Sequence, residues 1–152
     1  MKKLAAGLLL LVPIAGVACA KKEAPPTPAP ITEPATTLPA PVSVSTVTLG
    51  KAVGADKRVG EPAEVFGAKD TIYASVETAG TGHAKLRALW SFVRGEKTAK
   101  VDETTLEFDS TAPATNEFHI AKPSGWPKGD YRLDIFLNDG ATPVMTKTFK
   151  VG

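Results

Sequence analysis

Asp130-Tyr131-Arg132-Leu133-Asp134-Ile135-Phe136-Leu137-Asn138 changes character at almost every step. Tyr131, Leu133, Ile135 and Leu137 fall on one side of an extended chain, Arg132 and Asp134 on the other. A period of two is that of a strand with one face buried and one face in water. Asn138-Asp139-Gly140 then supplies residues that favour a turn.

Working outward, six further short runs share this alternation and are separated by Gly, Pro, Asn and Asp. Val42–Leu49 alternates through Val42 and Val44, slips phase, and resumes at Val47 and Leu49. Thr71–Thr78 places Ile72, Ala74 and Val76 on one face, and Ala84–Val93 does the same with Leu86, Ala88, Trp90 and Phe92. Lys100–Asp109 alternates weakly around Leu106 and Phe108. Ala114–Ala121 offers Phe118 and Ile120, and Val144–Val151 ends with Phe149 and Val151. No window carries a sustained helical period with caps. Gly50 to Lys69, with Gly54, Gly60, Pro62 and Gly67, reads as a long connection holding a short strand near Val59. Seven short strands over residues 42–152 predict an all-β, antiparallel two-sheet sandwich.

With Trp90 on the third run and Tyr131 opening the sixth, the pattern resembles an immunoglobulin-like β-sandwich. The resemblance implies a tryptophan filling the centre of the core and a tyrosine hydroxyl bonded to backbone a few residues upstream. It departs from the family in lacking the disulfide, so packing alone must hold the core. Gly125-Trp126-Pro127-Lys128-Gly129-Asp130-Tyr131 also resembles the Gly-x-Pro-x-Gly-x-Tyr entry to the penultimate strand in many bacterial envelope lipoproteins. Trp126 is expected to cap one end of the sandwich, with an exposed binding aromatic as the other reading. Trp90, Trp126 and Tyr131 are thus the expected fold-defining residues.

Residues 1–18 read as a signal peptide. Lys2 and Lys3 precede an apolar run of about 14 residues, Leu4 to Val17, shorter than the roughly 18 a membrane span needs. Gly16-Val17-Ala18-Cys19 resembles a bacterial lipobox, which implies an acylated Cys19 as the first mature residue. Ala18-Cys19-Ala20 also fits ordinary signal cleavage, which would release a soluble protein. Cys19 is the only cysteine, so no intrachain disulfide forms. Two or more acyl chains anchor stably, at about 0.8 kcal/mol per buried CH₂. Ala20 and Lys21 lack the aspartate of a known inner-membrane retention pattern, so the outer membrane, facing the periplasm, is the expected address. Residues 19–41 carry the modified cysteine and a proline-rich tether, expected to extend as polyproline II over at most roughly 70 Å.

Without the signal peptide's two lysines, 16 basic residues face 16 acidic ones, so neither nucleic acid nor an anionic bilayer is expected as a charge-driven partner. The chain has no Gly-x-Ser-x-Gly elbow, His-Glu-x-x-His, Cys-x-x-Cys, phosphate loop or calcium loop. The two histidines, His83 and His119, are not brought together by spacing, so no metal and no cofactor are expected. Asp102, Glu103, Glu107 and Asp109 make the fourth run acidic, as suits a solvated edge strand.

Alternation leaves Lys85, Arg87, Leu89, Val93, Arg132 and Phe136 facing away from the core. With Val144 from the last strand, Leu89, Val93 and Phe136 would form an apolar patch rimmed by Arg87 and Arg132, a candidate surface for a protein partner. The competing reading is that the tether or the Gly50–Lys69 connection covers it. The expected role is a membrane-anchored envelope lipoprotein whose sandwich binds or scaffolds other proteins without catalysis. Three alternatives stay open. One is a periplasmic chaperone- or inhibitor-like module that pairs an edge strand with a client; another is a glycan binder with Trp126 exposed beside Asn138 and Asp139; the last is an enzyme built on an unfamiliar site.

Overall fold

A computed structural model describes residues 40–152; Cys19, the signal peptide and all but the end of the tether lie outside the described residues. The strands are β1 Ser43–Gly50, β2 Val65–Phe66, β3 Ile72–Ala79, β4 Gly82–Arg94, β5 Lys97–Ser110, β6 Ala114–Ile120, β7 Gly129–Leu137 and β8 Met145–Val151. They form two sheets, ordered β1-β3-β6 and β2-β8-β7-β4-β5. The fold is an immunoglobulin-like β-sandwich. Each of the seven expected strands is present, with ends shifted by no more than three residues. The phase slip in the first run is a register shift between Val44 and Thr46 in the β1–β3 ladder.

Two features differ from the expectation. The described residues form eight strands, and β2 pairs parallel to β8 through Val65–Lys150 and Phe66–Val151, so the sandwich is not wholly antiparallel. The connection before it carries its own small hairpin, with Val53 bridged to Val59 and Gly50 to Pro62. Lys57 takes a positive φ of 62° at its tip.

The core lies between Ile72, Ala74 and Val76 of β3 and Leu86, Ala88, Trp90, Leu133 and Ile135 of β4 and β7. Phe149 is its aromatic hub. Tyr131 stacks on it at 5.3 Å, while Phe66 and Trp90 meet it edge-on at 5.5 and 5.9 Å. Trp90 is fully buried, as the resemblance implied, and among the described residues its Nε1 has no hydrogen-bond partner. Shape therefore holds it, with large apolar area offsetting one unmet donor.

The Tyr131 hydroxyl donates to the Pro127 carbonyl at 2.8 Å, closing the expected corner. Gly129 enters β7 at φ 148°, and a Cβ there would stand 2.8 Å from the Phe92 ring, so only glycine fits without displacing that ring. Trp126 is 5% exposed. Its backbone N–H donates to Ala68 and its indole Nε1 to the Asp70 carbonyl, at 2.7 and 2.9 Å. It is a cap, not an exposed aromatic.

Candidate functional site

The outer face of the five-stranded sheet corrects the expected patch. Phe136 sits opposite Arg87 in the β4–β7 ladder and is only 7% exposed, because the Arg87 guanidinium lies 3.9 Å above its ring. Leu89 and Val93 are half-buried; Val144, at 48% exposure, is the one open apolar member. The Gly50–Lys69 connection does not supply this cover through its backbone bonds. Those run to Leu49, to Trp126, and to Lys150 and Gly152, the last two at the other end of β8 from Val144.

What covers the face is a layer of paired charge. Arg87 bridges to Glu103 at 3.2 Å, and Lys100 meets the other Glu103 oxygen at 2.6 Å. Lys85 reaches Glu107 and Asp139 at 3.4 and 3.1 Å. Arg132 Nε and Thr146 Oγ1 each donate to the buried Asp134 carboxylate at 2.7 Å. Lys100, with Arg87, holds the Glu103 carboxyl below its ordinary range, and Asp139, with Glu107, raises Lys85. Exposed pairs of this kind contribute little to stability, and those that join different strands, Arg87–Glu103 and Lys85–Glu107, help fix register. The histidines stay apart in function: His83 meets Asp109 and His119 meets Glu117, both exposed. Among the described residues no three of His, Cys, Asp or Glu converge as a metal site.

The open surface is elsewhere, on β5. Sheet one has three strands and sheet two has five, so β5 overhangs; its first nine residues are exposed on both faces. It is an edge strand, as the acidic run suggested, but a two-sided one. Register shifts between Trp90 and Ser91, leaving Val101 as an extra residue in β5. A bulge of this kind twists an edge away from regular pairing.

Along the inner side of β5 run two hollows in succession. The first, about 400 Å³, is lined by Phe92, Arg94, Lys97, Thr98 and Ala99. The second, about 490 Å³, lies between Val101 and Asp102 on one side and Ile120, Lys122 and the edge of Trp126 on the other. Sequence alternation could not reveal this trough, since it arises from the missing opposite strand.

The cations are unevenly used. Lys51, Arg58, Lys85, Arg87, Lys100, Arg132 and Lys150 enter ion pairs with carboxylates. Among the described residues Lys57, Lys69, Arg94, Lys97, Lys122, Lys128 and Lys147 enter none, and all of these except Lys147 sit on the loops and strand ends around the β4–β5 turn, the β6–β7 loop and the 51–71 connection. The chain enters the domain at the other end. There Thr81 N donates to Ala40 O at 2.9 Å, and the Gly80 backbone is packed on Pro41.

Among solved structures, the sandwich is similar to part of a β-glucosidase from Erythrobacter marinus, with a TM-score of 0.51 and 7% identity over 75% of this chain. This chain spans 16% of that enzyme's length. An immunoglobulin-like protein from Pseudomonas aeruginosa aligns over 74% of this chain and 98% of its own, at 16% identity and a TM-score of 0.49. A β-glucosidase from intestinal bacteria, involved in saponin metabolism, aligns over 73% of this chain and 16% of its own, at 17% identity and a TM-score of 0.46. At such identities the likeness is one of fold alone. No family model matches the chain, and no curated protein does.

Proposed function

We propose that the chain is an envelope lipoprotein, anchored in the outer membrane by an acylated Cys19 and spaced from it by the proline-rich residues 20–41. The sandwich then serves as a non-catalytic module that binds another envelope protein. The polarity of the domain carries this reading. The tether joins at Ala40–Pro41 beside Gly80, whereas the overhanging β5, its trough and the unpaired cations gather toward the opposite end. A tether at one pole and a two-sided open strand toward the other is the arrangement of a displayed binding surface. Edge-strand capture, the first alternative, is favoured over glycan binding by one observation. Trp126 is buried, and it lies at the far end of β7 from Asn138 and Asp139, about 30 Å away by strand rise.

The test is metabolic labelling with a radioactive fatty acid, followed by fractionation and in-cell crosslinking with mass spectrometry. The intact chain should take up label, pellet with the membrane and crosslink to a reproducible protein partner. Cys19→Ser should lose label and membrane association together. Label that survives Cys19→Ser, or an unlabelled intact chain, overturns the anchor; crosslinking that returns no protein overturns the binding role.

A further inference from the structure

We infer that the trough on the inner side of β5, from Lys97 to Asp102, receives an extended acidic segment of a partner polypeptide, which adds as a strand to the β5 edge. This deepens the binding-module reading and rests on it.

Three observations converge on that occupant. The first is backbone. β5 is the outermost strand of its sheet, and among the described residues no strand lies beside its outward N–H and C=O groups. Added strands take their affinity from such groups and their specificity from alternate side chains. The second is shape. The hollows beside Phe92 and Ala99 and then beside Val101 and Ile120 follow the direction of β5, so alternate side chains of an added strand would drop into them. From Lys97 to Lys100 the edge offers about four residues in regular register, or roughly 13 Å, before the Val101 bulge interrupts it.

The third is charge. Arg94, Lys97 and Lys122 line the trough, and among the described residues none of them has a carboxylate partner. Against these three cations stand Glu96 at the turn and Asp102 in the wall. Arg94 lies 5.7 Å from the Phe92 ring, so an apolar floor and a cation occupy the same end. An acidic strand with apolar residues between its carboxylates complements this wall; a basic one does not.

A second copy of the chain fits poorly. Antiparallel β5–β5 pairing centred on Glu103, Thr105 or Leu106 sets Glu103 against Glu103, Glu107 or Asp109. Matching Lys97–Lys100 with Glu107–Ser110 balances the charges. It throws residues 102–105 out of face with one another, because each strand carries the Val101 bulge.

The probe is a fluorescent octapeptide alternating glutamate and valine, titrated against the full-length protein and read by anisotropy. Controls are its lysine-for-glutamate counterpart, an N-methylated version blocked for strand pairing, and a sulfated glycan. The acidic peptide should bind, with affinity falling as salt rises. Lys97→Glu with Lys122→Glu should weaken it roughly ten-fold or more, Asp102→Lys should strengthen it, and N-methylation should abolish it. All three substituted positions are exposed at the surface, so folding is checked by an unchanged urea midpoint. Equal binding of the basic peptide, indifference to either variant, or retention by the N-methylated peptide overturns the proposal. Glycan binding without peptide binding, or a salt-sensitive dimer through β5, does the same. If crosslinks in cells map instead to Val144 and the outer face, the module still binds protein and only the trough is lost. If labelling of Cys19 fails while the peptide binds, the anchor alone is lost.

Discussion

The guanidinium of Arg87 rests 3.9 Å above the ring of Phe136, two residues directly opposite each other in the β4–β7 ladder. Phe136 thereby becomes a buried residue on the side of the sheet that faces water. Arg87→Ala and Phe136→Ala should each destabilise the domain, by about 1 kcal/mol and about 2–3 kcal/mol. Their double-mutant cycle should return a coupling of roughly 0.5–1 kcal/mol. Urea denaturation measures all four corners; zero coupling would mean that the stack is incidental.

Gly129→Ala should cost about 2 kcal/mol or more, since the new methyl meets the Phe92 ring in a backbone region that side chains rarely adopt. Phe92→Leu should recover part of that loss in the double variant, because it removes the clash and leaves the backbone strain. Thermal unfolding of both variants decides it. Additive losses would show that Phe92 is not the obstacle.

Tyr131 is buried, and burial pushes its hydroxyl pKa above the ordinary tyrosine value. The folded state thus holds the proton more firmly than the unfolded chain does. Its contribution is whole below about pH 10 and drains away as pH rises through the raised value. Tyr131→Phe, losing the bond to Pro127, should be less stable by about 1 kcal/mol at neutral pH. Between about pH 9 and pH 11 its urea midpoint should also fall less than that of the natural protein. Parallel pH dependence in the two would sink this account.

Lys51, with the Gly67 amide, holds the Asp70 carboxyl below the usual carboxylate range. A depressed folded pKa gives stability that is present above the unfolded value, near 4, and is lost as pH falls through the folded one. Asp70→Asn should therefore flatten the acid limb of the stability curve. Trp126 should stay shielded from iodide quenching, since its indole bonds the backbone carbonyl of residue 70, which asparagine keeps. An acid limb unchanged from the natural protein would count against the Lys51 pairing.

Strands with one wet and one dry face were plain in the sequence, since Tyr131, Leu133 and Ile135 could not alternate otherwise. β2 was not, because Val65 and Phe66 are too few to show any period, and their partner lies some eighty residues away. Trp90 and the Tyr131 corner could be assigned from position. The outer face could not: alternation says which way Phe136 points but not that Arg87 lies across it. The trough was hidden for a related reason, since exposure of β5 depends on how many strands the other sheet has.

Phe149, Lys150 and Val151 tie the domain together across its full span. β8 lies between β7 and β2, and Gly152 N donates to Phe66 O at 3.0 Å. A nascent chain that has emerged only as far as β7 lacks the ring on which Phe66, Trp90 and Tyr131 converge. Such a chain should remain pliable and susceptible to protease until β8 arrives and the two sheets close on a complete aromatic centre.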